Sequence, residues 1–405
     1  MHEILGQARA LDQLQAQLMS GRVHHAQIFH GPPGVGKFTT ALAFAKVLLC
    51  HQPQHDLAGR AEACGQCVSC LTFRRADDPT LRDDETGGDA NPSGGTSPKA
   101  DTAENSDAGG SATSHPDLRV VNKELARYSD DAAVRNRKLT SIPVDVLRTA
   151  LIEPAYRGSQ LNHGKVFIVD EAELLNAAGQ NALLKTLEEP PTPDAGRGTT
   201  IILVTSQDNR LLPTIRSRCQ RVVFTPLPDD VVARQIEAWD QQLSAAERTW
   251  LTGFVLGSLG RLRLSLDYRL TGWAEVVLGQ LEKLTRGRAA PTLGADLAER
   301  INGFAETWVK RHDNASKEAA NKLAASLMFS LIATHARQQL DRLAEACDPA
   351  DPASAEARLA PWLHVIEALR TAESRLAANV NLGLTCDGLA ASLSQSLRQP
   401  ATPAA

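Results

Sequence analysis

One glycine-rich run constrains the fold of this chain more than any other feature. Residues 31–37 read Gly-Pro-Pro-Gly-Val-Gly-Lys, between a short apolar segment, Ala26–His30, and an apolar helical stretch, Lys37–Leu49. Such glycines let backbone N–H groups wrap phosphate oxygens, the lysine reaches the outer phosphates, and the start of the helix adds a positive dipole. The run therefore predicts a strand–loop–helix unit of an α/β protein. The predicted phosphate-binding residues are Gly31, Gly34, Gly36 and Lys37.

The residue after the loop lysine departs from this pattern. Loops that bind Mg²⁺ with a nucleotide carry Ser or Thr there, whereas this chain has Phe38, whose ring cannot ligate a hard cation. Thr39 follows, about 100° further around the helix, and is a poor substitute. With Phe38 and Thr39 beside the site, the sequence leaves ATP or ADP binding with Mg²⁺ open and predicts weak or no hydrolysis by this chain alone.

Composition sets the broad class of protein. The chain has 405 residues, 42% of them hydrophobic and 22% charged, which suits a soluble globular protein of two or three domains. A net charge of −4 gives no bulk basic character that would point to nucleic acid. The first residues do not resemble a secretory leader, and no apolar run approaches membrane-spanning length. We therefore expect a cytoplasmic protein without membrane contact.

Hydrophobic periodicity divides the chain into an α/β part and a helical part. Apolar strand-like segments alternate with helical segments up to residue 225, which predicts a parallel sheet covered by helices. The predicted strands are 26–30, 115–121, 165–169 and 199–205, and the main helices are 37–49, 142–153 and 177–188. Beyond Pro226 the pattern is helical to about residue 398, and residues 399–405 are expected to be a frayed tail.

An acidic segment interrupts the α/β part. Residues 77–114 hold nine acidic and two basic residues, no aromatic residue, and Leu81 as their one branched aliphatic residue. Because such a segment cannot bury enough apolar surface to offset its ordering entropy, we expect a disordered insertion.

Two carboxylates and a threonine follow predicted strands. Asp170 and Glu171 end the apolar run 165–169, at the carboxyl edge of the sheet, where ligands of such sheets bind. In nucleotide hydrolases the first would hold the Mg²⁺ shell and the second would polarise the attacking water; the alternative is a solvated acidic turn. Thr205 ends the next strand, where it could contact a phosphate or a catalytic water, or cap a turn.

Four cysteines form the second constellation. Cys64, Cys67 and Cys70 have two-residue gaps that let their thiolates converge on one tetrahedral ion, and Cys50 can supply the fourth ligand. Four sulfurs without an open position indicate a structural Zn²⁺. A redox dithiol and an iron–sulfur cluster are the alternatives.

Together these features resemble the clamp-loader branch of the AAA+ ATPases, from bacterial DNA polymerase III. The resemblance also rests on Gly6-Gln7, His25-Ala26, Ser217-Arg218-Cys219 and the string Asn-Ala-Leu-Leu-Lys-Thr-Leu-Glu-Glu-Pro-Pro at residues 181–191. It implies a RecA-like AAA+ core with the zinc module at about residues 50–70 (1–225), a small helical lid (226–285) and an all-α collar (286–398). On spacing alone Arg218 would be a surface residue; the resemblance makes it an arginine finger acting on a neighbouring subunit.

Phe38 separates the two types of subunit in that family. Motor subunits (gamma/tau) keep Thr at that position, so the sequence favours a non-motor arm that supplies Arg218 in trans. The resemblance implies a hetero-pentamer with motor and delta subunits that loads the sliding clamp onto primer-template DNA during replication. An active ATPase motor and a structural zinc-and-collar adaptor without a nucleotide role are the alternatives.

Overall fold

A computed structural model describes residues 4–56, 59–77, 115–128, 141–191, 198–312, 315–346 and 352–398. The chain divides into two compact units, Met1–Pro228 and Asp229–Ala405. Residues 78–114 of the predicted insertion, Cys347 and the tail 399–405 lie outside the described residues.

A five-stranded, fully parallel sheet forms the centre of the first unit. Its strand order is β4-β5-β6-β1-β7, and a separate antiparallel pair joins β2 to β3. The strands are β1 Ala26–His30, β2 Gln54–His55, β3 Ala61–Glu62, β4 Leu118–Val121, β5 Lys165–Val169, β6 Thr199–Thr205 and β7 Gln220–Val223. The predicted α/β class with a parallel sheet is confirmed; β7 and the β2–β3 pair were not predicted.

Helices cover both faces of this sheet. They are α1 Ala8–Ser20, α2 Lys37–Leu49, α3 Val68–Asp77, α4 Val144–Leu147, α5 Glu153–Ala155, α6 Ala177–Glu188 and α7 Pro213–Arg216. Strands β1, β5 and β6 and helices α2 and α6 have the predicted bounds. The two apolar clusters on the faces draw on alternate residues of the strands, with Ile28 and Phe167 in one and Phe29 and Ile168 in the other. Parallel strands buried on both faces read as continuous apolar runs.

Two predicted elements differ in detail. The strand predicted at 115–121 begins at Leu118, because residues 115–118 form a turn in which the Leu118 N–H donates to the His115 carbonyl at 3.2 Å. The Asp117 carboxylate accepts the N–H groups of Gln160 and Leu161 at 2.7 and 2.8 Å. The helix predicted at 142–153 begins after Pro143, whose extended backbone caps α4, and a π-helical turn, Arg148–Ile152, joins α4 to α5.

Gly6 and Gln7 join the start of α1 to the rest of the unit. Gly6 has a φ of 66°, and a Cβ there would lie 2.1 Å from Leu227 Cδ2. Gln7 is buried; its Nε2 donates to the carbonyls of Val35, in the glycine-rich loop, at 3.2 Å and of Thr225 at 2.8 Å. These contacts explain structurally why Gly and Gln occupy these two positions.

The second unit is helical throughout its described residues. Its helices are α8 Asp229–Trp239, α9 Ala245–Val255, α10 Leu259–Asp267, α11 Thr271–Thr285, α12 Leu293–Arg311, α13 Lys317–Glu345, α14 Pro352–Ala377 and α15 Leu382–Leu397. The predicted change to a helical region is confirmed, whereas its division into lid and collar remains a prediction. Among the described residues, no helix is both long and apolar enough to cross a bilayer.

Candidate functional site

The glycine-rich loop has the backbone that its sequence predicts. Gly31, Gly34 and Gly36 have φ values of 152°, 73° and 96°, a region that favours glycine. A Cβ on Gly31 would lie 2.2 Å from the carbonyl oxygen of Phe224, just after β7. The loop can therefore bring backbone N–H groups close to a phosphate, at the carboxyl end of β1 and the start of α2.

Lys37 is buried at the centre of this loop. Its Nζ donates to the carbonyls of Gly31 at 2.7 Å and Pro32 at 2.6 Å, and to Ser206 Oγ at 3.1 Å. Burial lowers the pKa of Lys37 to about 8, although the carboxylates of Glu173 and Asp170 act in the opposite direction. In this geometry the ammonium group closes the loop on itself, and a phosphate would have to take over these contacts.

The first turn of α2 lacks a hydroxyl at the position where Mg²⁺ would need one. Phe38 is half-buried and packs against the apolar cluster that contains Ala41. Thr39 is exposed, and the buried Thr40 donates its hydroxyl to the carbonyl of Gly36 at 2.8 Å. The residue that replaces the expected Ser or Thr therefore contributes to the core.

Asp170 and Glu171 lie at the predicted edge, directly after β5. Burial raises the pKa of Asp170 above its ordinary value, and its Oδ1 accepts the N–H of Glu171 at 3.0 Å. The two oxygens of Glu171 lie 2.7 and 2.9 Å from Lys123 Nζ. Since β4 is the parallel neighbour of β5, residues that follow β4 reach the same edge of the sheet. Sequence reasoning missed Lys123, although the rule that parallel strands end at one edge could have found it.

Thr205 and its neighbour Ser206 have different surroundings. The Thr205 hydroxyl is buried and accepts the N–H of Gln207 at 3.0 Å, which is the turn-capping alternative considered for it. Ser206 instead contacts Lys37, and its N–H donates to Glu173 Oε1 at 3.2 Å. Sequence reasoning also missed Glu173, because nothing in its local sequence distinguishes it from other acidic turn residues.

Arg218 lies at the opposite edge of the sheet. It precedes β7, whose first residue, Gln220, pairs with Gln27 near the start of β1, whereas the phosphate loop begins after the end of β1. Four residues of strand, roughly 13 Å, separate these two levels. Arg218 therefore belongs to the amino edge, and the structure does not bring it together with Lys37.

The Arg218 side chain contacts two elements of its own chain. Nη2 lies 2.5 Å from Glu188 Oε1, at the end of α6, and Nη1 donates to the carbonyl of Thr214 at 2.9 Å. Gln180 holds the preceding loop: its Oε1 accepts the N–H of Leu212 at 2.7 Å. The segment that carries Arg218 is thus tied to α6, although the guanidinium side chain is 37% exposed.

The four clustered cysteines converge as their spacing predicts. The Sγ atoms of Cys50, Cys64, Cys67 and Cys70 all lie within 4.8 Å of one another, and the pairs Cys50–Cys67 and Cys64–Cys70 are 3.9 and 4.0 Å apart. Four thiolates around Zn²⁺, each about 2.3 Å from the metal, would be about 3.8 Å apart. The arrangement can hold a metal ion.

Backbone N–H groups surround these sulfurs. Cys64 Sγ accepts from Gln66 and Cys67 at 3.5 and 3.3 Å, and these bonds lower the pKa of the Cys64 thiol to about 6. Cys50 Sγ accepts the N–H of Cys64 at 3.3 Å. Hydrogen bonds to sulfur favour thiolates, as a metal site requires, whereas burial raises the pKa values of the Cys50 and Cys70 thiols.

Comparison with known proteins agrees with these features. The family model described as "DNA polymerase III, delta subunit" matches residues 6–89 and 98–228, more than half of the chain. The chain is 28% identical over 232 residues to DNA polymerase III subunit delta′ of Bacillus subtilis, which covers 57% of this chain and 51% of that protein. The corresponding protein of Escherichia coli is 28% identical over 241 residues, 58% of this chain and 54% of its own.

A gamma/tau subunit and a solved structure also match. DNA polymerase III subunit gamma/tau of Mycobacterium tuberculosis is 30% identical over 229 residues, 56% of this chain and 28% of that protein. A crystal structure of a gamma subunit-related protein from Thermotoga maritima aligns over 96% of this chain and 100% of its own, with 17% identity and a TM-score of 0.41. At this TM-score the structural similarity carries no argument about the function of the chain.

The matched region spans about half the length of the curated delta′ relatives. The residues that the family model matches lie within the first compact unit, which carries the glycine-rich loop, the cysteines and Arg218. The predicted resemblance to clamp-loader subunits is thereby confirmed. The chain belongs to the family described as DNA polymerase III, delta subunit, and is delta′-like over the matched residues.

Proposed function

We propose that this chain is a fixed, largely non-motor arm of a clamp loader and that Arg218 acts on the ATP of a neighbouring motor subunit. The observation that carries the proposal is the position of Arg218 at the amino edge of the sheet, a strand's length from the chain's own phosphate loop. An arginine there is remote from its own loop, while its exposed side chain can face another subunit.

The chemistry of Arg218 suits this role. A guanidinium carries five N–H groups, and in Arg218 one donates to Thr214 while another faces Glu188. The uncommitted donors can bind oxygens of a γ-phosphate and stabilise the negative charge that develops during its transfer. Arginine fingers of this kind accelerate phosphoryl transfer by roughly 10³–10⁵-fold in other systems.

The chain's own loop is proposed to be a weak nucleotide site. Gly31, Gly34, Gly36 and Lys37 would hold the phosphates of ATP or ADP, with Asp170 near the metal. Phe38 offers no ligand for Mg²⁺, and Glu171 is paired with Lys123. Intrinsic hydrolysis is therefore slow.

The cysteine cluster is proposed to bind one structural Zn²⁺. Four sulfurs leave no open coordination position for a substrate, so the ion stabilises the residues that follow α2. All the cysteines that the structure describes are free thiols, which suits a reducing cytoplasm.

The helical unit is proposed to carry assembly. Residues 226–285 would form the lid and 286–398 the collar, which would dock on gamma/tau-type motor subunits and a delta subunit in a hetero-pentamer. That assembly would open the sliding clamp and release it on primed DNA during replication. The names of the matched relatives, which are DNA polymerase III subunits, support this part of the proposal.

The test is to rebuild the complex with Arg218→Ala. We expect the DNA-stimulated ATP turnover of the adjacent motor site to fall by roughly 10³-fold. Arg218→Lys should recover only part of this loss, since lysine lacks the planar fork of donors. Arg210→Ala, at an exposed arginine of the same loop, is the matched control and should keep wild-type turnover. Wild-type turnover and clamp loading with Arg218→Ala would refute the trans role and leave a structural adaptor.

An active motor is the second candidate, because Asp170 and Glu171 are intact and a gamma/tau subunit matches at 30% identity. It requires steady ATP turnover by the isolated chain that Glu171→Gln abolishes. Turnover at background level would exclude it.

A further inference from the structure

Two separate elements hold the guanidinium of Arg218. Glu188, the last residue of α6, lies 2.5 Å from Nη2, and the carbonyl of Thr214, in α7, accepts from Nη1 at 2.9 Å. A long arginine side chain is flexible, and one contact would leave its plane free to rotate. Contacts at two nitrogens fix both the plane and the direction of the remaining donors.

The backbone that carries Glu188 is itself fixed. Leu183 and Leu187, on the same helix, are buried in the core cluster at 0% and 1% exposure. The carbonyl of Leu187, one residue before Glu188, lies 2.8 Å from Nε2 of His25, just before β1. The carboxylate of Glu188 therefore projects from a rigid end of α6 rather than from a loop.

We infer that Glu188 is a positioning residue for Arg218, which it holds in the orientation that a neighbouring triphosphate requires. The inference rests on the proposed trans role of Arg218. Because a carboxylate repels a phosphate, Glu188 does not bind the triphosphate itself. It acts only through the guanidinium of Arg218. The pair is too exposed, at 37% and 45%, to contribute much to folding, so its main effect is geometric.

Positioning predicts a particular kinetic effect. A finger that is displaced by about 1 Å still carries its charge but stabilises the transition state less well. The loss should therefore appear in kcat of the motor site, while KM for ATP, which depends mainly on the motor's own loop, stays nearly constant.

The experiment measures DNA-stimulated ATP turnover in the complex rebuilt from this chain and its motor and delta partners. We expect Glu188→Ala to lower kcat about 5- to 20-fold, with KM for ATP within about twofold. Glu188→Gln keeps an acceptor oxygen and should restore kcat to within about twofold of wild type. The matched control is Glu189→Ala, at the adjacent exposed carboxylate, which should behave as wild type.

A double variant separates this inference from the proposed function. In the Arg218→Ala background, Glu188→Ala should cause no further loss, because its effect passes through Arg218. If Arg218→Ala lowers turnover and Glu188→Ala does not, the positioning role is wrong and the trans role stands. If Arg218→Ala itself has no effect, the proposed function fails. Loss of assembly or a lower melting temperature with Glu188→Ala would give Glu188 a structural role and overturn the inference.

Discussion

The two ends of the chemistry-bearing unit differ in what their polar groups leave accessible. At the carboxyl edge of the sheet Lys37 and Glu171 contact groups of their own chain. Elsewhere, by contrast, four thiols surround one point, and Arg218, although paired with Glu188, stays partly exposed.

Under the proposed function, one α/β sheet has lost nucleotide hydrolysis at its own loop and kept a residue that acts on a neighbour. The carboxyl edge is where parallel sheets bind ligands. At the position after the loop lysine, where a Mg²⁺ site needs a hydroxyl, this chain has the half-buried ring of Phe38, which packs against the core. An intact Arg218 at the amino edge, remote from a loop that carries Phe38 in place of Ser or Thr, is consistent with the proposed role on a neighbouring subunit.

The largest effect is expected at the cysteine cluster, on removal of the proposed zinc site. Cys64→Ser with Cys67→Ser should abolish metal binding and unfold the region of residues 50–70, because structural Zn²⁺ sites contribute roughly 10 kcal/mol or more of apparent binding energy. Metal analysis should find about one zinc per chain in the wild type, and thermal unfolding with limited proteolysis should report the local loss of structure.

The matched control is Val68→Ser, an exposed residue between Cys67 and Cys70. It should keep both the metal and the melting temperature. Iron in place of zinc, or a metal-free wild type with unchanged stability in the double variant, would contradict the structural zinc site and weaken the contrast with the carboxyl edge.

A smaller effect is expected at the carboxyl edge from Phe38→Thr. The new hydroxyl can bind Mg²⁺, so the affinity of the isolated chain for ATP should rise about tenfold in Mg²⁺ and hardly at all in EDTA. Loss of a half-buried ring should lower the free energy of unfolding by about 1–2 kcal/mol. Titration calorimetry with ATP, with and without Mg²⁺, measures the first effect.

Phe38→Ala is the control, since it removes the same ring without adding a hydroxyl. It should lose similar stability and gain no Mg²⁺-dependent affinity. Equal affinities of the Thr and Ala variants would show that Phe38 does not limit this site and that the contrast between the edges has another cause.

The smallest effect concerns the charge of Lys37. Burial places its pKa at about 8 in the folded chain, below its ordinary 10.5. Below pH 8 the folded state bears the full cost of the buried ammonium, and between 8 and 10.5 only the unfolded chain keeps the proton, so wild-type stability rises. Lys37→Met should be more stable by about 1 kcal/mol at pH 7, and this advantage should shrink by pH 10.

Urea unfolding of both chains at pH 7 and pH 10 measures the difference. Lys123→Met, which removes a more exposed lysine at the same edge, serves as the control for loss of a lysine side chain. A constant advantage of Lys37→Met across the two pH values would mean that Lys37 keeps its proton in the folded state.

Local patterns in the sequence predicted the parts of the site that are built from neighbouring residues. The glycines of the phosphate loop, the α2 helix behind it and the spacing of Cys64, Cys67 and Cys70 each lie within a few residues, so backbone geometry alone fixes their arrangement. The run at 165–169 likewise placed Asp170 and Glu171 at the end of a buried strand.

Contacts between distant residues were decided by the tertiary structure. Lys123 meets Glu171, and Arg218 meets Glu188, because the strand order brings their elements together, and no local periodicity encodes that order. The turn-capping bond of Thr205 also required coordinates, since a hydroxyl at a strand end serves a turn or a ligand equally well. The sequence by itself thus determined which chemical groups this protein has; the folded sheet decided which edge each group occupies, because side chains far apart in the chain meet only after the strands have paired.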